Sequence, residues 1–205
     1  MSRKRSEIKS KKSYKNYSKI ILIIIILVVL IVMAVSHLPS DGNNESEEQN
    51  NESDGKWLFA LDTYIAQVGS MEQYSTGYIP TLVIININGD IIHRDSGVHT
   101  KAQLMDYVNI AQNPSSSQSL GSAPDFTLQT FDGGTFKLSE NIGKVVILDF
   151  MAVRCPPCAQ QMPELYKLKK ELGNSIVILS IDVDAAYGYE TEEQVRNAYE
   201  EYIHD

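Results

Sequence analysis

Cysteine and aromatic residues other than tyrosine are scarce in this chain of 205 residues, which has two cysteines, one tryptophan and five phenylalanines. Two cysteines cannot build the framework of several disulfides that supports many small secreted domains. They cannot form a structural zinc site alone either, because such a site needs four ligands. The remaining candidates are His37, His93, His99 and His204. Since His93 and His99 do not stand at an obvious ligand spacing, we expect no metal site.

Basic residues are also scarce beyond position 19. Residues 20–205 contain 10 basic and 25 acidic residues, a net charge of −15, because eight of the 18 lysines and arginines lie in residues 1–19. A surface of this sign disfavours contact with nucleic acid and with anionic lipid head groups. We therefore expect no nucleic-acid partner and interpret the acidic surface as mainly solvated.

The N-terminus combines a basic segment, residues 1–19, with an unbroken apolar run over residues 20–35. With the next three residues this run approaches the length of a membrane-spanning helix. We predict a basic cytoplasmic tail (1–19), a transmembrane signal anchor (20–38) and an extracytoplasmic domain, because basic flanks stay inside. A cleaved signal peptide is the alternative, since Ala34-Val35-Ser36 loosely resembles a cleavage site.

Two polar segments divide the rest of the chain. Residues 39–55 are acidic and lack apolar side chains apart from one proline, so we predict a disordered linker. Residues 113–123 are rich in serine, with one glutamine and one glycine, and form a second predicted linker. They separate residues 56–112 from residues 124–205.

Both parts contain strand and helix patterns, which predicts an α/β fold. Predicted strands cover residues 57–61, 81–87, 90–95, 126–128, 135–138, 145–150 and 176–181. Predicted helices cover residues 100–111, 155–172 and 191–203, with a weaker helix near 63–74. Thr100 and Thr191 are the expected N-caps of two of these helices.

The motif Cys155-Pro156-Pro157-Cys158 directly follows the predicted strand 145–150 and opens a predicted helix. A helix N-terminus stabilises a thiolate at Cys155, and the two-residue spacing lets Cys158 close a disulfide. An inert structural disulfide is the alternative, but a bridge over so short a loop restricts the unfolded chain very little. The motif therefore favours a redox-active dithiol, with Cys155 as the attacking thiol.

Asp149 is the only charged residue in the apolar stretch 145–150 and stands six positions before Cys155. Burial would raise the pKa of this carboxyl group and suit it to relay a proton for Cys158. The alternative is a strand end that reaches solvent.

Several motifs together resemble a known family. Ala123-Pro124-Asp125-Phe126, Gly143-Lys144 before the strand, the Cys-Pro-Pro-Cys motif and Met162-Pro163-Glu164-Leu165 resemble the first half of a thioredoxin-like domain of the TlpA/ResA (AhpC/TSA-like) type. Residues 57–62, Gly77-Tyr78-Ile79-Pro80-Thr81 and Asn88-Gly89-Asp90 resemble the second half of the same domain.

The second half precedes the first, so the resemblance implies one circularly permuted thioredoxin-like domain, with a central mixed sheet flanked by helices. Within one chain, strand 57–61 should then lie parallel to strand 176–181. Strand 81–86 should lie antiparallel to strand 145–150. A separate leftover half domain and a swapped dimer are the alternatives.

The resemblance also implies a function. It predicts a thiol–disulfide oxidoreductase of the kind active in cytochrome c biogenesis, with no cofactor besides its redox-active disulfide. The implied partners are disulfide-containing protein substrates and an integral-membrane thiol electron donor. Ile79, Pro80 and Thr81 match the family's substrate-binding loop with its cis-proline.

Other residues near the motif depart from the family pattern. Arg154 replaces the usual tryptophan before the first cysteine, and two prolines, Pro156 and Pro157, stand between the cysteines. We include all three among the candidate substrate-binding residues. Alternative functions are a thioredoxin-like copper-delivery protein, a peroxiredoxin and a redox-inactive remnant. The first expects three residues between its cysteines, and the second a Thr-x-x-Cys context.

Overall fold

The computed structural model describes residues 54–63, 66–113, 115 and 118–204, all within one compact unit, Gln49–Asp205. The predicted cytoplasmic tail, signal anchor and most of the acidic linker lie outside the described residues. Among the described residues, no helix has the length and apolar character needed to cross a membrane.

A five-stranded mixed sheet forms the centre of this unit, with the order β1-β7-β6-β2-β3. Its strands are β1 (Leu58–Leu61), β2 (Thr81–Ile85), β3 (Ile91–Ser96), β6 (Val145–Met151) and β7 (Ile176–Asp182). β1 pairs in parallel with β7, and β2 pairs antiparallel with β6. Both strand pairings predicted across the two parts of the chain are thus confirmed.

Three helices cover one face of this sheet: α1 (Lys101–Ala111), α2 (Pro156–Leu172) and α3 (Glu192–Tyr199). Thr100 and Thr191 cap α1 and α3 with complete capping boxes, as predicted, and α2 continues through Pro163. Because side chains alternate along a strand, Val145 and Ile147 of β6 face the helices, whereas Val146 and Leu148 face the opposite side.

The opposite face is covered without a helix among the described residues. A hairpin of β4 (Thr127–Gln129) and β5 (Thr135–Lys137) packs there, together with Val68 and Tyr74. The expected helix near 63–74 is wrong for the described part of that segment, which has only a 3-10 turn, Val68–Ser70. The reason is local: the Asp62 carboxylate accepts hydrogen bonds from the backbone of Thr63, Val68 and Gly69, which stabilises a loop instead.

The two parts of the chain also meet away from the central strand pairs. Trp57 forms a parallel bridge with Ile203, and the nitrogen of His204 donates to the Trp57 oxygen at 3.0 Å. In the second predicted linker, Leu120 and Gly121 exchange backbone hydrogen bonds with Ile91 at the edge strand β3. The two parts therefore share one sheet and one core.

Candidate active site

The two cysteines lie where β6 leads into α2. Cys155 is the N-cap of α2, its sulfur accepts a hydrogen bond from the Cys158 nitrogen at 3.2 Å, and the two residues are disulfide-bonded. Cys155 is 8% exposed and Cys158 is fully buried. Pro156 occupies the first helical position, where proline has the right φ and no nitrogen donor is needed. The Cys155 sulfur therefore lies at the positive end of the α2 helix dipole.

Asp149 is fully buried on the helix-covered side of β6, which also carries the core cluster containing Cys158. Burial raises the pKa of the Asp149 carboxyl group to about 7, and a hydrogen bond from Ser180 opposes part of this increase. Ser180 Oγ lies 2.8 Å from Asp149 Oδ2, while Asp149 Oδ1 has no hydrogen-bond partner among the described residues. The alternative of a solvent-exposed strand end is therefore wrong.

A pair of buried carboxyl groups, Asp182 and Glu190, was not predicted from the sequence. Glu190 accepts hydrogen bonds from the backbone nitrogens of Val153 and Arg154, at 2.7 and 3.2 Å, in the turn just before Cys155. Burial and the nearby Glu190 carboxyl group raise the pKa of Asp182. Asp182 could have been predicted to lie near the cysteines, because it ends a strand that is parallel to β6.

The predicted loop residues lie beside a cleft of about 430 Å³. The Ile79–Pro80 peptide bond is cis, and Pro80 is buried. Thr81, which follows it, is in register with Phe150, so this loop and the start of α2 share one end of the sheet. Ile79 and Thr81 line the cleft, and the exposed rings of Tyr78 and Tyr187 flank it.

The other three predicted binding residues do not line this cleft. Arg154 turns away and donates to the Tyr189 oxygen at 2.9 Å, with its Nε atom 3.6 Å from Glu190 Oε1. Pro156 and Pro157 are exposed on the first turn of α2. Arg154 therefore has an acidic partner, Glu190.

Comparisons with known proteins find one family model and several similar proteins. Residues 121–202 match the AhpC/TSA family model. The chain is 39% identical over 74 residues to the thioredoxin-like protein YneN of Bacillus subtilis, which covers 36% of this chain and 42% of that protein.

Two thiol-disulfide oxidoreductases named ResA are also similar over less than half of their own length. For ResA of Bacillus cereus the identity is 36% over 83 residues, or 39% of this chain and 44% of the relative. For ResA of Oceanobacillus iheyensis it is 43% over 67 residues, or 29% and 35%. The chain thus spans less than half the length of these curated relatives, and no solved structure matches it significantly.

Proposed function

We propose that this protein is a membrane-anchored, extracytoplasmic thiol–disulfide oxidoreductase that reduces disulfides of proteins or of apocytochrome c. The observation that carries the proposal is the Cys155–Cys158 pair, with Cys155 as the N-cap of α2. A cysteine sulfur at a helix N-terminus is an arrangement that favours a reactive thiolate. Similarity to ResA and YneN supports the same chemistry.

In the reduced protein, the Cys155 thiolate attacks one sulfur of a substrate disulfide. A Cys155–substrate mixed disulfide forms, and the other substrate sulfur leaves as a thiolate. Cys158 then attacks the Cys155 sulfur, which releases the second substrate thiol and leaves Cys155 and Cys158 joined as a disulfide. Two electrons have passed to the substrate, and an integral-membrane dithiol donor returns them to the protein.

Cys158 is buried, so its thiol needs a proton acceptor before it can attack. Asp149 is suited to this role because its pKa of about 7 lets the carboxyl group accept and release a proton near neutral pH. The unpartnered Oδ1 atom leaves one oxygen available for a proton or a water molecule. We assign Asp149 as the proton relay for Cys158.

We further propose that the domain is a circular permutation of the thioredoxin-like domain of its relatives. Three observations support this: β1 and β2 complete the sheet of β6 and β7, Trp57 pairs with Ile203, and the relatives align with less than half of their own length. A linear alignment of a permuted chain covers only one of the two parts at a time.

The proposed location rests on the N-terminal sequence. Residues 1–19 are basic and residues 20–35 are continuously apolar, a pattern typical of a signal anchor with its N-terminus in the cytoplasm. An extracytoplasmic position agrees with the use of a disulfide.

The activity is tested by insulin reduction, with dithiothreitol as electron donor and the full chain in detergent. We expect the wild type to accelerate insulin precipitation and Cys155→Ser to lose the acceleration. Cys158→Ser should lose turnover but trap a mixed disulfide, visible on a non-reducing gel. Equal activity of the wild type and Cys155→Ser would reject the enzyme in favour of a redox-inactive domain.

A further inference from the structure

A cluster of potential metal ligands lies on the edge strand β3 and the turn that follows it. One ligand atom each from His93, Asp95 and His99 can be chosen so that all three lie within 4.8 Å of one another. The five intervening residues made the two histidines look unrelated in the sequence. The structure brings them together because β3 ends at Ser96 and the chain turns at Gly97 towards α1.

Strand geometry explains why His93 and Asp95 share a face. They pair with Ile84 and Leu82 of β2, whose side chains belong to the helix-covered core cluster. The His93 ring stacks on Tyr107 of α1 at a centroid distance of 3.8 Å, and His99 meets both rings edge-on. The imidazoles are therefore held in place by aromatic packing, in the narrow space between β3 and α1.

The hydrogen bonding of this cluster is incomplete. His99 is only 5% exposed, and the buried Nε2 atom of His93 has no hydrogen-bond partner among the described residues. Asp95 binds the Ser96 nitrogen through Oδ1, which leaves Oδ2 facing His99 Nε2 at 4.0 Å. Buried polar atoms without partners are rare in folded proteins, and binding of an ion is one way to satisfy such an atom.

We propose that His93, Asp95 and His99 bind a divalent transition-metal ion such as Zn²⁺. Two imidazoles and one carboxylate suit this class of ion and not Ca²⁺ or Mg²⁺, which take oxygen ligands. Three protein ligands leave a fourth tetrahedral position for water or another small ligand. The exposed Asp95 side chain supplies the freedom needed to shorten the ligand distances around the ion.

The site is also connected to the candidate active site through backbone contacts. The Gln161 side chain accepts from the His99 nitrogen at 2.7 Å and donates to the His99 oxygen at 3.1 Å. Gln161 lies one turn after Cys158 in α2. This contact fixes the His99 backbone, so the ligand set is anchored on α2 as well as on β3.

The test is calorimetric titration of ZnCl₂ into the full chain in detergent, with the Cys155–Cys158 disulfide intact so that no thiol competes for metal. We expect one Zn²⁺ per chain in the wild type, and at least about 10-fold weaker binding in His93→Gln and in Asp95→Asn. Asp95→Asn is the main variant because Asp95 is exposed and its replacement keeps an oxygen for Ser96. His204→Gln serves as the matched surface-histidine control and should bind as the wild type does.

Cobalt supplies a second readout that affinity alone does not. CoCl₂ should give visible absorption bands of low-symmetry coordination in the wild type, and these bands should be lost in His93→Gln. The proposal is overturned if the oxidised wild type binds no Zn²⁺, or if His93→Gln and Asp95→Asn bind it as tightly as the wild type. Because the disulfide form is used, either result is independent of the exchange activity.

Discussion

Trp57 Nε1 donates a hydrogen bond to Ser180 Oγ at 2.9 Å, and Ser180 Oγ donates a hydrogen bond to Asp149 Oδ2. Trp57 lies 123 positions before Ser180, so this buried chain of hydrogen bonds joins the two parts of the sequence. It ends at the carboxyl group that we assign to proton transfer. The first part of the chain therefore contributes to the surroundings of Asp149.

Replacing Trp57 by phenylalanine tests this link. Trp57→Phe keeps an aromatic ring against Phe59 but removes the donor to Ser180, which lies in a fully buried position. We expect the free energy of unfolding to fall by about 1–2 kcal/mol, measured by circular dichroism in urea. Tyr187→Phe, at an exposed ring, is the control and should change it little. An unchanged stability in Trp57→Phe would mean that the hydrogen bond contributes nothing.

Much of this fold was predictable because its signals are local. The strands that begin at Val145 and Ile176 are mainly apolar, and both predicted capping threonines are caps. The helix predicted after Asp62 is wrong because backbone donors of this segment bind the Asp62 side chain, and hydrophobic periodicity does not indicate such bonds. The carboxyl groups of Asp182 and Glu190 meet only through tertiary packing, so no spacing in the sequence indicates them.

Asp149 should control the pH dependence of the exchange reaction. Its pKa of about 7 means that the carboxylate form, which accepts the Cys158 proton, is lost as pH falls through that value. We expect the rate of mixed-disulfide resolution to rise through pH 7 in the wild type and to lack this inflection in Asp149→Asn. In Ser180→Ala the inflection should move to higher pH, because the hydrogen bond that lowers the pKa is absent. The rate is measured by stopped-flow fluorescence of mixed-disulfide decay at each pH.

The same shift predicts an effect of pH on stability. The pKa of Asp149 is higher in the folded protein than its ordinary value of 3.8, so the folded state holds a proton that the unfolded chain releases between about pH 4 and 7. This contribution to the free energy of unfolding falls as pH rises through that window, by up to about 4 kcal/mol. Relative to the wild type, Asp149→Asn should gain stability from pH 4 to pH 8. A constant difference in urea denaturation across this range would contradict the shift.

Glu190 should stabilise the turn that carries Cys155. Glu190→Gln has only one carbonyl oxygen for the two nitrogens of Val153 and Arg154, so one of these partly buried donors loses its acceptor. We expect a loss of about 2 kcal/mol in the free energy of unfolding, measured in urea. The exposed Glu193, at the start of α3, is the matched control, and Glu193→Gln should cost only a few tenths of a kcal/mol. Equal effects of the two variants would remove any special role of Glu190.

Tyr78 should contribute to the binding of protein substrates and not to the thiol chemistry. Its ring is 76% exposed beside the cleft that Ile79 and Thr81 line. Because exposed tyrosines beside a site are frequent binding contacts, Tyr78→Ala should raise KM for insulin several-fold. The rate with a small aromatic disulfide should remain that of the wild type. A parallel loss with both substrates would instead assign Tyr78 a structural role in the loop.

The strongest test of the permutation is to reverse it. The nitrogen of Trp57 donates to the Tyr202 oxygen at 3.0 Å, so the start of the first part and the end of the second lie side by side. A gene that encodes residues 118–204, a short glycine-serine linker and residues 54–113 should yield a folded protein, because the new junction spans a small distance and the chain is opened within the linker predicted at residues 113–123. We expect the same far-ultraviolet spectrum as the natural order and a single cooperative urea transition. The control joins the same two pieces with residues 54–113 shortened by β1, which removes the strand beside β7 and should prevent folding. If the reordered chain unfolds in two separate transitions, the two parts are independent domains and the permutation is rejected.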